Sequence, residues 1–148
     1  MWLFHQQNPF LGASLDGIIT DGEESTPGVV EFIYLFIYIQ VKPSETLKDV
    51  LLRQHIYLKV QHNNTVIVQL NKNHKYYFQL YQQMFVTEYH WGVFIAQGTD
   101  GGLFYEKVKF TDEFWSPILK KIEMFFDTIL VYELAYPRVQ LRLERAAF

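Results

Sequence analysis

Val29 to Val41 reads VVEFIYLFIYIQV, the longest apolar run in the chain. Its thirteen residues fall short of the ~20 that a membrane-spanning helix requires. Valine, isoleucine, phenylalanine and tyrosine dominate it, and β-branched and aromatic side chains favour a pleated strand over a helix. The run therefore predicts a strand at the heart of a sheet. Glu31 interrupts it. Strand residues two apart face the same way, so Glu31 shares a face with Val29, Ile33 and Leu35. A carboxylate on such a face is costly to bury unless it is paired, protonated or bound to a metal. Alternatively, Glu31 lies near a strand end and meets solvent or a lysine.

Working outward, Leu11 to Thr20 (LGASLDGIIT) predicts two short extended pieces around an Asp16-Gly17 turn. Polar Asp21 to Gly28 (DGEESTPG) joins them to the long strand. Pro43-Ser44 opens a short helix running to about Gln54, with Leu47, Val50 and Leu51 on one face. Ile56 to Gln61 and Thr65 to Leu70 alternate around His62-Asn63-Asn64, a hairpin pattern. His74 to Thr87 has the helical period, with Tyr77, Leu80, Tyr81 and Met84 on one stripe. The opposite stripe holds Gln79 and Gln83, neighbours four apart. Trp91 to Gln97 and Leu103 to Lys109 predict two strands around a Thr99 to Gly102 turn. A last helix begins at Thr111 or Asp112, and its stripe of Phe114, Ile118, Ile122, Phe125 and Ile129 predicts core packing. Strands alternating with helices predict an α/β or α+β class.

The 148 residues amount to one domain, at ~100–200 residues each. Apolar residues are 49% of the chain, enough for a real core. Thirteen Lys and Arg against sixteen Asp and Glu leave a charge of −3, which excludes a uniformly basic nucleic-acid binder. The absence of cysteine excludes a disulfide scaffold, a thiolate zinc site and a cysteine nucleophile. His5, His55, His62, His74 and His90 show no metal-ligand spacing, and no nucleophile elbow or phosphate-cradling loop occurs. With neither a signal peptide nor a spanning segment, the expectation is an intracellular protein of cytoplasm or nucleus, with no membrane partner. Two carboxylates in unusual settings remain, Asp16 at its turn and Glu31 in its strand. With a backbone carbonyl they would suit a hard, oxygen-seeking Mg²⁺ or Mn²⁺.

Asn8 to Ile19 (NPFLGASLDGII) followed by Gly28 to Phe32 (GVVEF) resembles the YqaJ-like viral recombinase family, to which lambda exonuclease belongs. The likeness continues in His74 to Thr87 (HKYYFQLYQQMFVT), Asp112 to Phe126 (DEFWSPILKKIEMFF) and Glu133 to Val139 (ELAYPRV), covering about Asn8 to Arg145. It implies a restriction-endonuclease-like core of the PD-(D/E)xK type, a mixed central sheet flanked by helices. It also implies a metal-dependent deoxyribonuclease, an exonuclease acting on duplex DNA and using Mg²⁺ or Mn²⁺. Asp16 matches the motif aspartate and Glu31 the motif glutamate, and the carbonyl of Phe32 would be the backbone ligand beside them. Gln79 matches the glutamine that lies near the active site. Lys75, Gln79 and Gln83 are the implied DNA contacts. Relatives close into rings around DNA, so the resemblance also points to a homo-oligomer.

The motif lysine, two residues after the glutamate, is replaced by Ile33. An apolar side chain cannot donate to water or phosphate, and losing one preorganised donor costs roughly 10²–10³ in rate. Lys42, Lys59 and Lys75 are the candidates to substitute for it. Leu15 stands at the motif proline and Tyr81 at the second helix glutamine. The resemblance starts close to Asp16, so the family's helical N-terminal part is expected to be missing. The expectation is thus a single divergent nuclease domain over residues 1–148, with cleavage weakened or lost. The competing expectations are a non-catalytic DNA-binding module, with Lys72 and the C-terminal arginines as further contacts, and a decaying gene fragment.

Overall fold

The computed structural model describes residues 2–34, 45–63, 65–98, 101–137 and 140–141. It is mixed α+β, with a mixed sheet and helices. Two compact units divide the chain, Met1–Phe110 and Thr111–Phe148.

The first unit is organised around β4 (Gly28–Tyr34), the described part of the long apolar run. Residues 35–44, its remainder and the start of the predicted short helix, lie outside the described residues. Strand β3 (Gly17–Ile19) pairs antiparallel with β4, and β7 (Trp91–Gln97) pairs parallel with it on the other edge. Antiparallel β8 (Leu103–Lys109) completes the order β3-β4-β7-β8. Parallel neighbours need a long crossover. Here it contains α1 (Leu47–Arg53), the hairpin β5 (Tyr57–His62) and β6 (Thr65–Leu70), and α2 (Lys75–Thr87).

Local chemistry sets these boundaries. Thr46 and Asp49 form a reciprocal capping box at the start of α1. Asn63, in the hairpin loop, has φ +44°, a conformation asparagine tolerates. His74 caps α2 by accepting the Tyr76 N–H, and the helix ends where Glu88 turns left-handed at φ +59°. Two glycines decide the packing of the sheet. A Cβ on Gly28 would lie 2.5 Å from the Trp91 ring, which covers that position. A Cβ on Gly92 would meet Val29 Cγ2 at 2.7 Å and Leu80 Cδ1 at 2.9 Å, so α2 lies directly on the β4–β7 pair.

Alternation along β4 buries Val29, Glu31 and Ile33 on the side that α2 covers. The other side carries Phe32 and Tyr34, with Leu103 and Tyr105 on β8, all exposed. Lys107 ties the connector before β4 to β8, reaching Asp21 at 2.8 Å and Glu24 at 2.7 Å while its Nζ sits 4.5 Å from the centre of the Trp91 ring.

One strand has no counterpart in the sequence reading. Trp2–Phe4 forms β1, paired with β2 (Gly12–Ser14) in a separate two-stranded sheet. The two extended pieces around Asp16 are real, but they belong to different sheets.

In the second unit, α3 (Asp112–Phe125) continues through a π-helical turn, Phe126–Leu130, into α4 (Val131–Ala135). The expectation of a core-packing stripe is corrected here: Phe114, Ile118, Ile122 and Ile129 are only half-buried, and Phe125 is exposed. Within this unit, among the described residues, no sheet or second long helix exists to cover them. Arg138, Arg142 and Arg145 lie outside the described residues. Among the described residues, no helix is long and apolar enough to cross a membrane.

Candidate functional site

Asp16 occupies the point where the chain leaves the β1–β2 sheet and joins the four-stranded one. The β3–β4 ladder ends at the pair Gly17 and Val30, so its next step would set Asp16 opposite Glu31. Instead of a backbone partner, the Phe32 N–H finds the Asp16 carboxylate, donating to Oδ2 at 2.9 Å. A strand residue's N–H and C=O project to the same edge. The Phe32 carbonyl therefore points along the edge that Asp16 occupies, although the Phe32 ring turns to the other face of the sheet from Glu31.

Glu31 is 3% exposed, so the reading that placed it in solvent at a strand end does not hold. Its support comes from α2. Gln83 Nε2 donates to Glu31 Oε2 at 2.6 Å and also to the Ser14 carbonyl at 3.0 Å. Gln79, one turn before Gln83 on α2, lies near enough to the same carboxylate to favour its charged form. Burial pushes the Glu31 carboxyl up to about 7; the Gln83 hydrogen bond opposes that shift, the Asp16 charge adds to it, and Gln79 opposes it. Two acidic groups thus share a small space, one desolvated and the other at the surface. This mutual repulsion is what a bound cation relieves.

The donor set fits a hard divalent ion. Two carboxylates and one carbonyl are all oxygen, and Mg²⁺ is commonly held by one or two carboxylates, with waters and phosphate oxygens completing its shell. Among the described residues no group of three His, Cys, Asp or Glu side chains converges.

The other predicted residues divide. Gln83, expected as a DNA contact, is 1% exposed, donates to Glu31 and to the Ser14 carbonyl, and lines a cleft alongside β2. Its Oε1 is buried without a hydrogen-bond partner. Gln79 and Lys75 are exposed and line the same cleft. Of the three substitute lysines, Lys75 stands on this cleft, Lys59 lies on the β5–β6 hairpin near Asp49, and Lys42 is outside the described residues. Ile33 is 8% exposed on the same face as Glu31. Sequence reasoning missed the role of Gln83 in holding Glu31, although its spacing of four from Gln79 already put both amides on one helical face.

Compared with family models, with curated proteins and with solved structures, the chain matches none.

Proposed function

We propose that the chain is a divergent YqaJ-type, metal-dependent deoxyribonuclease domain, exonuclease-like and built on a restriction-endonuclease-like core. Cleavage is weakened or lost because Ile33 stands at the lysine position. The observation that supports this is the convergence of Asp16 and Glu31 at the edge of β4, with the Phe32 amide clamped to Asp16. Asp16, Glu31 and the Phe32 carbonyl would hold Mg²⁺ or Mn²⁺. A cation there would neutralise charge on a scissile phosphate and make a bound water acidic enough to attack.

The chain's own residues supply the rest. Gln83 fixes the Glu31 carboxylate from α2, so Glu31 is oriented before substrate arrives. Lys75 offers a cation to the DNA backbone at the neighbouring cleft. The face of β4 that should present an ammonium beside Glu31 presents the Ile33 side chain, which can neither orient water nor stabilise developing charge. Duplex DNA is the proposed partner, a ring of copies the proposed assembly, and cytoplasm or nucleus the compartment.

The test is degradation of linear duplex DNA in Mn²⁺ by wild type and Ile33→Lys. The lysine variant should be faster by roughly 10²–10³, and adding Asp16→Asn should abolish the gain. Wild type cutting as fast as Ile33→Lys would refute the loss of cleavage.

A second reading, a non-catalytic DNA-binding module, draws on Ile33 at the lysine position and on Lys75, which lines an open cleft. At a net charge of −3 its binding should be weak and salt-sensitive. Failure to retain duplex at ~50 mM salt would remove it.

A further inference from the structure

The cleft beside the acidic pair has a volume of about 460 Å³ and is walled by Trp2, Gly12, Lys75, Phe78, Gln79 and Gln82. Trp2 is 72% exposed. It is nevertheless firmly placed, because its strand register pairs it with Ser14, two residues before Asp16. Two hydrogen bonds stitch this small sheet to α2: Gln82 Nε2 donates to the Gly12 carbonyl at 2.7 Å, and Gln83 Nε2 to that of Ser14. Phe4, its companion on the outer face of β1, lies over Gly12, where a Cβ would come within 3.0 Å of its ring.

The cleft therefore combines a fixed, accessible indole, a second aromatic wall in Phe78, and the exposed Gln79 amide. Lys75 adds positive charge. Gln83, which donates to Glu31, also lines the cleft, so the cleft borders the acidic pair. Aromatic surface with a cation beside it is what an unpaired nucleotide recognises, since every base has a π-face and a phosphate. A polypeptide ligand would leave the adjacent carboxylates without a purpose, whereas a DNA strand places its phosphates beside them.

We infer that this cleft is a stacking site for an unpaired DNA base, with Trp2 as the platform and Lys75 on the adjoining phosphate. The site rests on the nuclease reading and adds to it the substrate class: a single-stranded or frayed end, read without sequence preference.

Binding in EDTA separates the two ideas, because no cleavage is then involved. Trp91 and Trp115 are each 2% exposed, so quenching of tryptophan emission by an eight-nucleotide oligodeoxythymidine (in about 50 mM salt) would report on Trp2. Wild type should quench. By anisotropy of a labelled oligomer, Trp2→Ala should bind about tenfold more weakly, the loss of one stacked base. Trp2→Phe should largely restore binding. An abasic oligomer of equal length should bind wild type and Trp2→Ala alike. No quenching, or equal affinity of wild type for the abasic and thymidine oligomers, would overturn the site. Quenching with no Mn²⁺-dependent cleavage even by Ile33→Lys would support it and count against the nuclease; cleavage by that variant without quenching would overturn the stacking site alone.

Discussion

Replacing Gln83 with methionine keeps the volume of a buried side chain and removes all its hydrogen bonding. Gln83 makes a donation of 2.6 Å to the Glu31 carboxylate and one of 3.0 Å to the Ser14 carbonyl, and leaves its own Oε1 without a partner. A hydrogen bond to a charged group contributes ~1.5–3 kcal/mol and a neutral one ~1 kcal/mol, while relieving a buried orphan acceptor returns at least ~1 kcal/mol. The net cost of Gln83→Met should be about 2 kcal/mol. The assay is urea unfolding at pH 8, where Glu31 is mostly ionised. The midpoint should fall with an unchanged slope. Glu31→Met alone relieves the burial of a charge but leaves the Gln83 amide donor with only the Ser14 carbonyl, two effects of opposite sign. Removing both partners together should cost less than the two singles summed, by at least about 1.5 kcal/mol, since an apolar pair asks for no hydrogen bonds. Additive costs would show that the Gln83–Glu31 bond does not organise the site.

Other consequences follow from the same packing. Gly92→Ala should cost ~1–3 kcal/mol by forcing a methyl between Val29 and Leu80, read as a lowered thermal midpoint. Saturating Mn²⁺ should raise the midpoint of wild type by a few degrees, at about 2–4 °C per kcal/mol of binding for a chain of this size, and leave Asp16→Asn unmoved; equal shifts would place the ion elsewhere. His74 caps α2 as a neutral acceptor, and burial, then the charges of Lys75 and His55, hold its pKa below the usual imidazole value. The unfolded chain then binds the proton more tightly. The contribution is complete above about pH 6.5 and is lost as pH falls through the depressed native value. His74→Asn should flatten that part of a stability-pH curve; an unchanged slope would assign it to another group.

Much of the fold is legible in local pattern. The His74–Thr87 period, the paired runs around Asn63 and the two strands flanking Gly98–Gly102 each appear as elements, because side-chain alternation and caps are short-range signals. Strand β1 left no such signal: three residues carry too little period to detect. The C-terminal stripe misled in the opposite sense. An amphipathic pattern states which face of a helix is apolar, and whether anything covers that face depends on the partners its unit provides.

For the candidate site, the sequence by itself determined the chemistry on offer: a carboxylate at the Asp16 turn, another in an apolar strand, two amides on one helical face, and isoleucine where the resemblance expects lysine. Residue identity and period are enough for that. Only the tertiary structure decided that Gln83 donates to Glu31, that the Phe32 amide closes on Asp16, and that Trp2 lines the cleft. Those contacts join segments far apart along the chain through a parallel crossover and a change of sheet. No local propensity encodes such meetings; they follow from burying one side of β4 against α2.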